Sequence, residues 1–364
     1  MCVRLIQAKL IWALGGGKMK FLKGIDANYV PLLESLGIEW RTRRGEPIKD
    51  LYRFLAEKGV NCARVRLWVG DEGPCRLRYA SLVMERASKA GMELYLVLFL
   101  SEGWADLYKQ PAPKAWAALS VEERAKVVRS YVRSVLERLE GYEFRLYEVG
   151  NEVDYGVCGV FASDKKRRRN LHWLKRRVWR YEALILRAAI SAIRRMDPET
   201  PVMIHLGKWW DECLARAFLA SMEEYGVEFE VLGLTFYPTG LGVGLETLEQ
   251  LKGLAEEFGK DCVIAEYAYP SGRMRGMFWF MSKQVPGYPL TPEGQARWIR
   301  DFLHACRRVG ISGAFYWSPE LYLSRNAAKK LPAPPEMPID FGWGPMALFN
   351  MKGRAKPAVN SLGV

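Results

Sequence analysis

Two glutamates in the sequence have the surroundings of reacting carboxylates. Glu152 follows the apolar stretch YEFRLYEVG, and Glu266 lies in the apolar stretch CVIAEYAY. A buried carboxylate without a partner is energetically costly, so such a residue usually has a cationic partner or a chemical role. Two facing carboxylates can hydrolyse a glycosidic bond, because one can donate a proton while the other stays ionised. The structural alternative is that both glutamates form buried ion pairs with arginines.

The elements that would position these carboxylates form a regular alternation of strand-like and helix-like segments. Continuously apolar strands that alternate with helices predict a parallel sheet, and eight such units predict a closed (β/α)8 TIM barrel. We expect this barrel to be a single domain over residues 19–364. An open doubly wound sheet would carry a glycine fingerprint after its first strand, whereas the run Gly15–Gly17 precedes that strand. The strand-like runs are 19–25, 61–69, 92–100, 142–150, 201–206, 230–237, 262–269 and 311–317.

Active residues of such barrels lie at the C-terminal ends of the strands, and reading those ends gives a set of candidates. Glu152 and Glu266 belong to the fourth and seventh units, whose strands lie across the barrel mouth from each other. Tryptophan rings near the mouth, such as Trp104, offer flat faces on which a sugar can stack, although most tryptophans are expected to pack in the core or on the surface. The other candidates at strand ends are Arg64, Asn151, His205, Tyr237 and Trp317.

Ordered motifs along nearly the whole chain carry a family resemblance. They are KGIDANYVPLLESLGIEW, GVNCARVRLWV, WADLYKQPAPKAW, VGNE, DPETPVMIHL, GLTFYP, AEYAYP, GYPLTPEGQ and ALFNMKGRAKP. Over roughly residues 20 to 360 the chain resembles glycoside hydrolase family 53, the arabinogalactan endo-β-1,4-galactanases, within the large clan of retaining (β/α)8 glycosidases.

The resemblance implies a role for each candidate. It implies retaining, endo-acting hydrolysis of β-1,4-galactan, with Glu152 as the acid/base and Glu266 as the nucleophile. It also implies that the sugar subsite at the cleaved bond is lined by Arg64, Asn151, His205 and Tyr237. No cofactor is expected, and the late loop 321–343 is so poor in acidic residues that no calcium site is expected either.

Three stretches depart from the family pattern where sugar contacts would lie. The family usually reads DFHYSDxWADP after strand three, where this chain reads VLFLSEGWADL. The family's tryptophan after strand four is missing, and YPYW after strand six has become YPTG. Another β-linked polysaccharide, such as mannan, xylan or glucan, therefore stays an alternative substrate. A carbohydrate-binding barrel without turnover is a further alternative, which the intact glutamate pair disfavours.

The chain is basic, with 54 Lys and Arg against 41 Asp and Glu, a net charge of +13. Much of this excess lies in Lys165–Arg180, which reads KKRRRNLHWLKRRVWR. We interpret this segment, here called the basic run, as a basic loop followed by a solvated helix face. A nucleic-acid partner is an alternative that we do not expect, because the aromatic residues of the run have helical spacing. The substrate is instead expected to be a polysaccharide.

The remaining composition excludes several classes of protein. The seven cysteines are scattered without a CxxC pair, and three histidines in the chain make a zinc site unexpected. No apolar run is long enough for a transmembrane helix, so no membrane partner is expected. Residues 1–18 are interpreted as a leader outside the folded barrel; secreted and cytoplasmic locations both stay open. Asn and Gln total only 12 residues, which is typical of heat-adapted proteins.

Overall fold

The structure, a computed structural model, describes residues 20–322 and 341–364 and contains a closed barrel of eight parallel strands. Each strand pairs with the next along the chain, and the eighth pairs with the first, so that Asp26 lies opposite Trp317. The predicted TIM barrel is therefore confirmed, whereas the predicted leader 1–18 lies outside the described residues. The strands are β1 Leu22–Asp26, β2 Cys62–Leu67, β3 Glu93–Leu98, β4 Phe144–Val149, β5 Val202–Leu206, β6 Val231–Phe236, β7 Asp261–Tyr267 and β8 Gly313–Trp317.

Helices connect the strands and surround the barrel. They are α1 Val30–Ser35, α2 Leu51–Glu57, α3 Leu77–Lys89, α4 Val121–Arg138, α5 Leu171–Leu174, α6 Arg180–Met196, α7 Glu212–Glu224, α8 Pro238–Leu241, α9 Thr247–Glu257 and α10 Pro292–Val309. A π-helical turn, Lys175–Trp179, joins α5 to α6, and a two-stranded hairpin, Gly156–Val157 with Val160–Phe161, follows β4. Single 3-10 turns lie at Lys114–Trp116, Arg167–Arg169, Gly276–Phe278, Phe341–Trp343 and Pro357–Gly363.

Local sequence signals explain where several helices begin and end. Ser120 and Glu123 form a reciprocal capping box at the start of α4, which satisfies backbone N–H groups that a helix leaves free. Gly310 ends α10 in the left-handed conformation, which glycine adopts without steric cost. Gly59, Gly91 and Gly226, which follow the ends of α2, α3 and α7, likewise have positive φ angles. The short helices α1 and α8 were not predicted, because four to six residues carry too little periodicity.

The barrel interior is a packed core whose strands are almost completely buried. Gly24 on β1 leaves room for the Phe315 ring of β8, since a Cβ at that position would lie 1.9 Å from a ring carbon. Phe315 in turn packs edge-on against Tyr95 of β3 at 4.8 Å. Cys62 and Cys262 are buried and pack as small core residues. No helix in the described part of the chain is long and apolar enough to span a membrane.

The basic run forms an exposed loop and then a helical segment. Lys165 and Lys166 are exposed, while Leu174, Val178 and Trp179 are buried on the inner side of α5 and the π-helical turn. The interpretation as a basic loop followed by a helix face is therefore confirmed.

Candidate active site

Arg64 of β2 is the centre of a buried polar cluster at the C-terminal mouth of the barrel. Its Nη1 donates to Asp26 Oδ2 at 2.6 Å and to Glu266 Oε1 at 2.9 Å. Its Nη2 donates to Glu148 Oε1 at 3.0 Å and to Asn151 Oδ1 at 2.7 Å. One fully buried guanidinium thus bonds three carboxylates, a charge arrangement that fixes the geometry of all of them.

Glu266, at the end of β7, is buried and has two donors to its carboxylate. Arg64 bonds Oε1, and the Tyr237 hydroxyl donates to Oε2 at 3.1 Å. Burial raises the pKa of Glu266 above its ordinary value, and the Arg64 guanidinium opposes that shift. Since both neighbours donate hydrogen bonds, the ionised carboxylate is the form that this environment accommodates.

Glu152 has a different environment. It follows β4 with a φ of +48°, and its carboxyl accepts from Thr235 Oγ1 at 2.6 Å and from the Leu107 backbone N–H at 3.2 Å. It forms no salt bridge within residues 20–322 and 341–364. Burial, and then the negative charge of Glu266, raise the pKa of Glu152 to about 8. At neutral pH this group therefore holds a proton that it can give away.

His205 of β5 connects the arginine cluster to Glu152. Its Nδ1 lies 2.9 Å from Glu148 Oε1, and its Nε2 lies 2.8 Å from Thr235 Oγ1, which donates to Glu152. Burial alone would lower the pKa of His205, but the Glu148 carboxylate raises it above the ordinary value. The pKa of Glu148 is held down at about 2, because Arg64 and His205 outweigh the effect of its burial.

Aromatic side chains form one wall of the mouth. The Trp317 ring packs edge-on against Trp104 at 5.7 Å and against Trp343 at 4.6 Å. Trp343 continues the row to Tyr237 at 6.1 Å. The buried Arg66 guanidinium lies 5.4 Å from the Trp104 ring and 5.8 Å from the Trp317 ring. The rings are therefore held in place by their neighbours within the protein.

All eight site residues predicted from the sequence lie at this mouth, although the sequence reasoning missed further members of the cluster. Glu266 does form the buried ion pair with an arginine that was the structural alternative, whereas Glu152 does not. Asp26, Glu148 and Thr235 were missed. Each interrupts an apolar strand, which is the same signal that identified Glu266.

The described residues contain no group of three or more His, Cys, Asp or Glu side chains that could hold a metal ion. Of the loop 321–343, for which no calcium was expected, residues 323–340 lie outside the described part of the chain.

The model of the family described as Glycosyl hydrolase family 53 matches residues 22–362, nearly the whole barrel. The chain belongs to glycosyl hydrolase family 53. This family 53 chain is therefore a glycoside hydrolase.

Relatives and solved structures agree with this assignment over almost the full length. The family 53 chain is 30% identical to "Uncharacterized protein in bgaB 5'region" of Niallia circulans, over 94% of this chain and 93% of that protein. It is 28% identical to "Endo-beta-1,4-galactanase" of Bacillus subtilis (strain 168), over 84% of this chain and 71% of that protein. The structure titled "Ignisphaera aggregans GH53 catalytic domain" superposes with a TM-score of 0.78 at 26% identity, and the match covers 95% of this chain and 96% of that one.

Proposed function

We propose that this family 53 enzyme hydrolyses the internal β-1,4 linkages of galactan by a retaining, two-glutamate mechanism. The observation that supports it best is the contrast between the two carboxyls at one barrel mouth. Glu266 has an arginine and a tyrosine hydroxyl as donors, while Glu152 has no cation and a pKa of about 8. Relatives such as the Bacillus subtilis protein carry the name endo-β-1,4-galactanase, which supports galactan as the substrate.

In the first step the Glu266 carboxylate attacks the anomeric carbon of the bound sugar. The bond from that carbon to the leaving oxygen breaks, and Glu152 transfers its proton to this oxygen, so that a neutral sugar departs. The product on the enzyme is a glycosyl ester of Glu266. Arg64 and Tyr237, which bond the two oxygens of Glu266, hold the carboxylate at a fixed position for the attack.

In the second step the ionised Glu152 accepts a proton from water. That water attacks the anomeric carbon, the ester bond to Glu266 breaks, and Glu152 is protonated again. Two inversions at the same carbon give overall retention. The Thr235 hydroxyl and the Leu107 N–H stabilise the charged form of Glu152 between the two steps.

The walls of the mouth support the choice of a pyranose chain as the ligand. Trp317 and Trp104 pack against each other at the mouth with only 4% and 5% of their surface exposed, and Asn151 and His205 contact each other beside them. Mannan, xylan and glucan, which the departures after strands three, four and six had left as alternatives, are not favoured, because the named relatives are β-1,4-galactanases.

Measuring the release of reducing sugar from β-1,4-galactan, mannan, xylan and β-glucan tests which polymer is the substrate. We expect galactan to be hydrolysed fastest, and a faster reaction on another polymer would contradict the substrate assignment. Glu266→Ala should remove nearly all turnover, while Glu152→Ala should retain more activity on aryl glycosides whose leaving group needs no proton. NMR of the first product should detect the β-anomer, and the α-anomer would contradict retention.

We also propose that the enzyme is heat-adapted, on the basis of its low content of Asn and Gln. A thermal unfolding scan tests this directly. A midpoint near that of ordinary mesophilic domains, about 45 to 65 °C, would contradict it.

A further inference from the structure

The segment Gly276–Phe280, between β7 and α10, exposes large apolar side chains at the surface. Trp279 is 71% exposed, Met277 57% and Phe280 49%. Of the eight large hydrophobic side chains that are exposed in the described residues, three lie in this five-residue segment. A contiguous group of exposed apolar residues is unusual for a soluble surface and marks a site of interaction.

The segment is fixed at the rim of the barrel mouth. The Lys283 backbone N–H donates at 3.0 Å to the carbonyl of Thr239, in the short helix α8 that follows β6. The Ser271 N–H donates to the Pro345 carbonyl at 2.9 Å, in the segment after β8. The loop that contains the segment is therefore anchored on both sides of it, to the residues that follow β6 and to those that follow β8, near the wall of the mouth that carries Tyr237.

Ring contacts connect the segment to the aromatic wall of the active site. Phe278 packs edge-on against Trp343 at 5.2 Å, and Trp343 packs edge-on against Trp317 at 4.6 Å. The exposed Trp279 and Phe280 follow Phe278 directly in the chain. The row of rings that begins with Trp317 thus reaches Phe278, and the exposed pair Trp279 and Phe280 is joined to it through the chain.

Packing within the protein does not explain the Trp279 ring. Its ring contact in the described part of the chain is with the adjacent Phe280, at 6.5 Å, and most of its surface is open to solvent. Two exposed arginines, Arg273 and Arg275, lie in the same loop and provide hydrogen-bond donors for hydroxyl groups. A flat aromatic face beside such donors matches a pyranose ring, which has an apolar C–H face and a polar edge.

We propose that Trp279 and Phe280 form a remote glycan subsite, which binds a sugar ring of the polymer outside the residues that are cleaved. The proposal rests on the proposed function, because it takes the polymer in the cleft as its ligand. The ring contacts from Trp317 through Trp343 to Phe278 connect this part of the surface to the barrel mouth, which favours a glycan chain over a lipid surface, since a polymer bound at the mouth can extend to the exposed pair.

The test compares a long substrate with a short one. In Trp279→Ala, and more strongly in Trp279→Ala combined with Phe280→Ala, the KM for long β-1,4-galactan should rise about three- to tenfold. The kcat/KM for an aryl β-galactobioside, which is too short to reach the rim, should stay unchanged. Met196→Ala is the matched control, because Met196 is an exposed apolar residue at the C-terminal end of α6. Equal KM values for wild type and both Trp279 variants on long galactan would overturn the proposal.

Affinity electrophoresis in gels that contain soluble galactan, mannan or xylan separates this subsite from the proposed function, because it measures binding without turnover. If wild type hydrolyses no galactan but is retarded by one of these polymers, and Trp279→Ala removes the retardation, the galactanase assignment fails and the subsite stands. If the retardation is unchanged in the variants, the subsite is excluded. Binding to anionic lipid vesicles that Trp279→Ala abolishes, with an unchanged KM for galactan, would also overturn it.

Discussion

Gly207 lies directly against the carboxyl group of Glu152. A Cβ at Gly207 would lie 2.8 Å from both the carboxyl carbon and Oε1 of Glu152, closer than real Cβ contacts. The backbone at Gly207 cannot easily retreat, because the buried Asp154 carboxylate accepts from the Gly207 and Lys208 N–H groups at 2.8 Å each. The absence of a side chain at Gly207 is thus what gives the Glu152 carboxyl its position.

Gly207→Ala should therefore impair turnover without unfolding the protein. The methyl group meets the end of a flexible side chain, so Glu152 moves and the barrel stays intact. A displacement of about 1 Å in a catalytic group can lower the rate about a hundredfold, so we expect kcat to fall by about ten- to a hundredfold. Steady-state kinetics and a thermal unfolding scan measure both effects.

Gly253→Ala is the matched control, since Gly253 lies in α9 and an alanine Cβ there would meet no neighbouring atom within 4 Å. This variant should keep full activity and, because alanine favours helices, should be slightly more stable. If Gly207→Ala retained wild-type kcat, the contact with Glu152 would not position the acid/base.

The fall of kcat/KM at alkaline pH should reflect the deprotonation of Glu152. Its pKa of about 8 means that the protonated form needed for the first step is lost as the pH rises through that value. The Thr235 hydroxyl donates to the carboxyl and so favours the charged form. Thr235→Val removes this donor, and the alkaline limb of kcat/KM should then move to higher pH.

Thr235→Ser keeps the hydroxyl and serves as the control for this shift. It should leave the alkaline limb near its wild-type position. A limb that moves to lower pH in Thr235→Val, or equally in both variants, would contradict the assignment of Glu152 as the proton donor.

The sequence was sufficient for the barrel and for the residues at strand ends, but not for the polar cluster beneath them. Few folds other than a closed barrel accommodate eight apolar strands that alternate with helices. The active residues of such barrels lie at the C-terminal ends of the strands. The partners of a buried charge depend on which strands face each other and in what register. Glu148 and Asp26 meet at Arg64 because β1, β2 and β4 close around the same interior, and no single segment contains that information.

Arg168 is the one residue of the loop part of the basic run that is not fully exposed, and it contacts the loop beside Glu152. Its Nε donates to the Ala162 carbonyl at 2.7 Å and its Nη1 to the Leu107 carbonyl at 3.3 Å. The N–H of Leu107 donates to Glu152 Oε2. We therefore expect Arg168 to act as a positioning residue, because it holds the loop whose N–H donates to Glu152, the proposed acid/base.

Arg168→Ala should lower kcat/KM about tenfold on short and long substrates alike, and should move the alkaline limb to higher pH because Glu152 loses a donor. Arg168→Lys keeps the charge but not the fork of donors, so it should restore only part of the activity. A loss of stability with an unchanged pH profile would mean that Arg168 supports the loop alone.

The exposed cations of the basic run should affect capture of the polymer and not the chemical steps. Lys165, Lys166 and Arg169 are exposed and form no salt bridge in the described part of the chain, whereas Arg167 lies 3.5 Å from Asp164. Plant galactan is attached to an acidic pectic backbone, which these cations can attract from solution. Neutralising the three free cations should raise the KM for pectic galactan at low salt and leave kcat on neutral oligosaccharides unchanged.

The salt dependence of KM tests whether this effect on polymer binding is electrostatic. At about 0.5 M salt the screening length is only a few ångströms, so the KM difference between the variant and wild type should disappear. Neutralising Lys126, Arg129 and Arg195, three exposed cations on helices α4 and α6, removes the same charge elsewhere and should have a much smaller effect on KM. If both triple variants raised KM equally, net charge and not the position of the basic run would govern capture. If neither did, the run would serve solubility or stability only.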